Sequence, residues 1–259
     1  RVFIENGNRE NRKKARLKHL IDHWGLERFL EETEKKIGYP LLKAPFDAEL
    51  PRQTLPNKHH PQVGIFAQEQ PGMNYIGVSI PVGQLTPKQL MRLADVADRY
   101  GSGEVRLTVW QNLLLPNIAE NDLEAAKEAI IKMGLDYKTN NLRTGFVACT
   151  GNSYCKFASA NTKGHALELM RFLEKKHDLD QPLNVHLTGC PHSCAQHYMG
   201  DIGLLATKVN LQGEPVEGYH IFVGGGFGKH RQVGRQVFQG LTFEQVRATL
   251  DTMLRAYQN

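Results

Sequence analysis

The chain has 259 residues, enough for one large domain or two modest ones, and its 41% hydrophobic and 23% charged content is ordinary for a globular protein. No run approaches the roughly 18 to 20 continuous apolar residues of a membrane helix, and no secretory signal opens the chain, which points to a cytoplasmic protein without membrane contact. The net charge of +5 comes without an aromatic-interleaved basic stripe, so nucleic acid is not expected as a partner; solubility, an acidic protein or a carboxylate-rich cofactor accounts for it.

The chain opens on Arg1 and enters a charged helical pattern almost at once, which reads as a start inside a longer protein. Leu17, Leu20, Ile21, Trp24, Phe29 and Leu30 recur at spacings of three and four, predicting helix from Asn8 to about Ile37, with Gly25 as a possible break. The basic stretch Arg9 to Lys18 reads as a solvated helix face, with contact to an acidic protein as the alternative. Pro40, Pro45, Pro51, Pro56 and Pro61 then mark an aperiodic linker. These residues form a first segment, 1–59.

A second segment, 60–141, reads strand, helix, strand, helix. Ile76, Val78 and Ile80 alternate in a strand ending at a Pro-Val-Gly turn, and Thr86-Pro87 opens a helix running to Tyr100. Glu104 to Pro116 reads as one strand and Asn121 to Met133 as the second helix. This order suits a two-layer, ferredoxin-like half domain. In the third segment, 142–259, a helix runs from Thr162 to His177. Strands fall at Leu183–Leu187, Asp201–Val209 and Tyr219–Val223, followed by the glycine run Gly224 to Gly228. Thr242 then starts the closing helix. The fold class expected is α+β: a ferredoxin-like half domain followed by a mixed α/β module.

The chain's four cysteines fall in two clusters. Cys149 and Cys155 stand in Ala-Cys-Thr-Gly-Asn-Ser-Tyr-Cys, and Cys190 and Cys194 in Leu-Thr-Gly-Cys-Pro-His-Ser-Cys. Three chemistries compete for them. Disulfides suit an even count, but nothing in the chain indicates an oxidising compartment. Structural zinc uses tighter knuckles than a five-residue gap. Four thiolates with none left over match the demand of a four-iron cluster, which is favoured. Glycine and proline ahead of Cys190 and Cys194 would turn the backbone tightly and bring amide N–H groups toward sulfur.

These motifs resemble those of the siroheme-dependent nitrite and sulfite reductases, and the likeness covers nearly the whole chain. It extends to Gly200-Asp201-Ile202-Gly203 and to Gly101 through Thr108 with Gln111-Asn112, with Ile80-Pro81-Val82-Gly83 closest to the ferredoxin-dependent nitrite branch. The resemblance implies that Cys149, Cys155, Cys190 and Cys194 hold a [4Fe-4S] cluster, with Cys194 also the axial ligand of siroheme. It implies that Arg106, Gln111, Asn112 and Arg143 approach the siroheme edge; the ordinary alternatives are a sheet-surface ion pair, strand-end capping and solvation. It implies ferredoxin or another low-potential donor, and nitrite or sulfite reduced by six electrons passed singly through the cluster and the shared sulfur. It further implies a second half, absent from this chain, that carries most of the anion pocket, so that this half alone is a poor catalyst. A sulfite reductase haemoprotein and a non-catalytic electron-transfer module are the competing readings. His192 and His197 flank Cys194, where packing is a commoner role for histidine than ligation. The glycine run Gly224 to Gly228 reads as a loop near the cofactors or as a plain turn.

Overall fold

The computed structural model describes residues 1–11, 15–42, 62–138, 141–226 and 232–258. Most of the expected proline-rich linker and the end of the glycine run lie outside them. The chain divides into two compact units, Arg1–Gln53 and Thr54–Asn259.

The first unit is helical: α1 (Val2–Asn6), α2 (Leu17–Trp24) and α3 (Leu26–Ile37). Gly25 separates α2 from α3 with a φ of 80°, a left-handed conformation that glycine adopts without steric cost. The helix expected from Asn8 starts instead at Leu17. The Asn8 side-chain carbonyl accepts hydrogen bonds from the Glu10 N–H (3.0 Å) and the Asn11 N–H (2.7 Å), a local turn that competes with helix.

The second unit holds two sheets. The first is antiparallel, with strands β1 (Gly64–Ala67), β2 (Met73–Val78), β3 (Arg106–Leu107) and β4 (Leu113–Ala119) in the order β1-β2-β4-β3. Helices α4 (Pro87–Tyr100) and α5 (Leu123–Lys132) pack against it around Ile76, Val78, Leu93, Leu115 and Ile130. The single strand expected over 104–116 is a hairpin. The chain reverses between Thr108 and Asn112, where the Thr108 N–H donates to the Asn112 carbonyl at 2.9 Å and Gln111 has a φ of 61°. Helix α4 begins with a capping box, Thr86 accepting from the Gln89 N–H while the Gln89 side chain accepts from the Thr86 N–H. Thr86→Ala is therefore expected to cost about 1 kcal/mol, read as a lower urea midpoint at unchanged slope.

The second sheet has the order β5-β6-β7-β8-β9, from β5 (Phe146–Ala148), β6 (Val185–Thr188), β7 (Ile202–Leu211), β8 (Glu214–Val223) and β9 (Arg235–Thr242). β5, β6 and β7 run parallel, and the rest pair antiparallel. Helix α6 (Thr162–Glu174) crosses from β5 to β6, and α7 (Phe243–Gln258) closes the chain. Their apolar faces meet the sheet in a core that includes Phe146, Leu169, Leu173, Leu187, Ile221 and Leu250. The architecture is α+β. Among the described residues no helix is long and apolar enough to cross a membrane.

Candidate metal centre

Parallel pairing of β5 with β6 does the first positioning. The register sets Ala148 opposite Leu187, so the residues that follow both strands emerge side by side at one end of the sheet. Cys149 follows β5 directly and extends the ladder, its N–H donating to the Leu187 carbonyl at 3.0 Å. Cys190 follows β6 after Gly189. The space beyond the carboxyl ends of parallel strands is where such sheets place their ligands.

The segment between Cys149 and α6 is tied down at several points. The Cys155 N–H donates to the Gly151 carbonyl (3.0 Å), Ala158 N–H to the Cys155 carbonyl (3.1 Å), and Ser159 N–H to the Gly189 carbonyl (2.7 Å). Asn161 caps α6, and the Thr162 hydroxyl donates to the Cys149 carbonyl at 2.7 Å. Glu217 on β8 accepts from the Asn152 side chain (2.5 Å) and the Asn161 N–H (2.8 Å). Lys163 donates to the Val82 carbonyl and, at 3.2 Å, to the Ala148 carbonyl; burial pushes its pKa down and neighbouring Cys149 opposes that. Glu217 and Lys163 were not legible as site residues, because a lone carboxylate in a strand and a lone lysine in a helix carry no motif.

All four cysteines are free thiols, half-buried at 149, 155 and 190 and exposed at 194. Burial raises the pKa of Cys190, the hydrogen-bonded His192 N–H lowers it, and the charges of Cys194, Cys149 and Cys155 raise it further. The other three cysteines are therefore near enough to Cys190 to act on it electrostatically. Among the described residues no three His, Cys, Asp or Glu side chains converge as ligands of one metal ion. The expected N–H···S contact is present: the Gly189 N–H donates to Cys149 Sγ at 3.1 Å. The Thr188 hydroxyl beside it is buried and has no partner among the described residues. These donors and the four free thiols fit a cluster.

Cys194 also lines a cavity of about 170 Å3 with Val109, Trp110, Gln111, His186 and Met199. The structure brings Gln111 of the four other expected residues to this wall. Its side-chain amide meets β5 edge-on, donating to the Ala148 carbonyl (2.8 Å) and accepting from the Ala148 N–H (3.1 Å). Asn112 is buried and accepts from the Ile80 N–H at 2.9 Å. Arg106 pairs with Glu104 at 2.7 Å and borders a separate hollow of about 530 Å3 lined by Gln68, Tyr75 and Asn117. Arg143 makes a two-point ion pair with Glu174 (2.9 and 3.1 Å). His197 is buried with its Nδ1 against the Ser193 hydroxyl at 3.0 Å, and His192 lies edge-on to Phe157. Gly224 to Gly226 follow β8, and the Gly224 N–H donates to the Asp201 carbonyl at 3.1 Å.

Comparison with known proteins gives two family matches. Residues 66–133 match the nitrite/sulfite reductase ferredoxin-like half domain, and residues 1–41 and 139–259 match the nitrite and sulphite reductase 4Fe-4S domain. Ferredoxin–nitrite reductase of Synechococcus elongatus is 39% identical over 253 residues, covering 98% of this chain and 48% of that protein. The chloroplastic ferredoxin–nitrite reductase of Zea mays is 39% identical over 231 residues, covering 88% of this chain and 40% of that protein. The chain thus spans about half the length of the curated relatives it matches. Among solved structures, the NirA protein of Mycobacterium tuberculosis superposes with a TM-score of 0.82 at 31% identity, over 96% of this chain and 46% of that one. Dissimilatory sulfite reductase I shares the fold, with a TM-score of 0.57 at 16% identity over 70% of this chain and 62% of that one. These matches support a [4Fe-4S] cluster and siroheme as the cofactors. The second family model alone spans more than half of the sequence, and the chain belongs to the siroheme-dependent nitrite and sulfite reductase family.

Proposed function

We propose that this chain is the cluster-bearing half of a ferredoxin-dependent reductase that converts nitrite to ammonia. The observation that carries the reading is the pairing of both cysteine motifs at the ends of adjacent parallel strands, with a backbone N–H already aimed at a cysteine sulfur. In this reading Cys149, Cys155, Cys190 and Cys194 hold the cluster, and Cys194, exposed at a cavity wall, is also the siroheme ligand. When bound, the two cofactors supply one-electron transfer and an iron at which the substrate is reduced.

The chain's own residues hold the ligands and set their surroundings. Gly189 and His192 offer N–H groups to sulfur, which helps set a cluster's potential. Gln111 locks the start of the first cysteine loop to the β3–β4 turn and forms part of the wall beside Cys194. Arg106, Asn112 and Arg143 belong to the same reading as residues near the siroheme edge; in this structure their partners are Glu104, the Ile80 N–H and Glu174. Domain boundaries near 60 and 142 belong to the same reading, as do cytoplasmic location, a low-potential donor and a second half carrying the anion pocket. Nitrite rather than sulfite is supported by the relatives, which are named as ferredoxin–nitrite reductases.

The test has two parts. The full-length polypeptide, given reduced ferredoxin or viologen, is expected to turn over nitrite faster than sulfite; faster sulfite turnover reverses the substrate assignment. This chain alone is expected to retain iron and labile sulfide while reducing nitrite poorly, and full activity of the isolated chain would refute the division of labour.

A further inference from the structure

The segment that carries Cys194 is held in an unusual backbone conformation. Ser193 and Gln196 flank the cysteine region with φ values of 58° and 55°, and neither is glycine. Side-chain-bearing residues adopt that region only when the surroundings enforce it. Within the turn, Ser193 N–H donates to the Cys190 carbonyl (3.1 Å), Gln196 N–H to the Ser193 carbonyl (2.9 Å) and Met199 N–H to the Gln196 carbonyl (2.9 Å), and the Ser193 hydroxyl meets His197 Nδ1 at 3.0 Å.

His186, on the interior strand β6, supplies an outside grip. It is 3% exposed, and its Nδ1 lies 2.8 Å from the Ala195 carbonyl and 3.2 Å from the Gln196 carbonyl. Carbonyls only accept, so Nδ1 carries the proton and Nε2 is the bare nitrogen; Nε2 has no partner among the described residues. Burial lowers the ring's pKa, in keeping with a neutral imidazole. The ring is seated edge-on to Trp110 at 5.5 Å between centroids, and a Cβ on Gly200 would come within 3.0 Å of it. The same ring lines the cavity that Cys194 lines.

We propose that His186 is a positioning residue for Cys194: its Nδ1–H grips the two carbonyls that follow the cysteine, holding the strained turn in the one arrangement that presents the sulfur. The proposal rests on the cluster reading only in its spectroscopic arm. Asparagine can place a side-chain N–H where Nδ1–H sits, glutamine places its amide near Nε2, and leucine supplies bulk alone. The full-length polypeptide is compared with its H186N, H186Q and H186L variants. In amide hydrogen exchange, residues 193–199 are expected to lose roughly tenfold protection in the glutamine and leucine variants and to keep it in the asparagine variant. At unchanged iron content, the EPR signal and midpoint potential of the reduced cluster are expected to shift in the first two and return in the third.

Equal protection in all four proteins overturns the proposal, as does loss in the asparagine variant equal to that in leucine. A change in exchange with no change in the cluster's EPR signal also overturns it, because the grip would then stop short of the sulfur. If the parent protein holds no iron, the cluster reading fails, and the exchange measurement alone decides the role of His186.

Discussion

Replacement of any one of Cys149, Cys155, Cys190 or Cys194 by alanine is expected to strip iron and acid-labile sulfide from the protein together. The parent is expected to hold about four of each per chain, the content of one [4Fe-4S] cluster. Changing an outer-shell partner alone costs roughly 10- to 100-fold in metal affinity, so loss of a direct ligand is expected to exceed that. The four variants should also divide. Cys149, Cys155 and Cys190 are half-buried, whereas Cys194 is exposed and lines a cavity. Cys194→Ala is therefore expected to alter the siroheme absorption bands more than the other three do, when siroheme is supplied to each. Combined iron, sulfide and siroheme analysis checks this. A parent containing zinc in place of iron, or four variants that keep their iron, would remove the cluster from the account.

The site's chemistry was more legible than its supports, for a physical reason. Cysteines at fixed spacings declare themselves because thiolate ligation needs that residue type in that number. Gly189 was legible as well, since a glycine ahead of a ligand lets the backbone turn tightly and bring an N–H toward sulfur. Gln111 was picked out, but its use is a hydrogen-bonded pairing with Ala148, which only the fold reveals. His186 and Glu217 had no such signal; each matters through a partner 9 to 65 residues away. The elements show the same split. Helices α4, α5, α6 and α7 follow apolar periodicity and were found with small boundary differences. The strands that were missed, β1, β5 and β9, are all sheet edges. β5 is three residues long and wholly buried, so it shows no alternation, while β9 is mostly exposed and shows no apolar face. The expected long strand over 104–116 failed because Val105, Leu107 and Val109 alternate as a buried strand would, yet all three are exposed. Alternation records which side of a strand is apolar, not whether anything covers it.

Gly189→Ala is expected to destabilise the protein by about 1 to 3 kcal/mol, the usual cost of forcing a methyl group into a packed site. A Cβ at this position would lie 2.6 Å from the Ala158 Cβ, 3.2 Å from the Ala158 Cα and 3.3 Å from Cys149 Sγ. The first distance is well inside contact, and neither partner is the free end of a flexible side chain. One of the two cysteine loops must therefore move away from the other. That movement threatens two bonds at once: the Gly189 N–H to Cys149 Sγ, and the Ser159 N–H to the Gly189 carbonyl at 2.7 Å. Both tie the first cysteine loop to the second, so the loss of stability is expected to come with loss of iron. Ala158→Gly removes the atom responsible for the closest approach. In the double variant the remaining contacts, at 3.2 and 3.3 Å, need a shift of only a few tenths of an ångström. The two substitutions are therefore expected to be strongly non-additive, with the double variant more stable than Gly189→Ala alone despite carrying a further glycine. Urea midpoints for the four proteins of this cycle, with iron content measured on each, provide the check. Additive losses would mean that the two loops do not meet at Ala158 and Gly189, and the close packing of the two cysteine motifs would have to be abandoned.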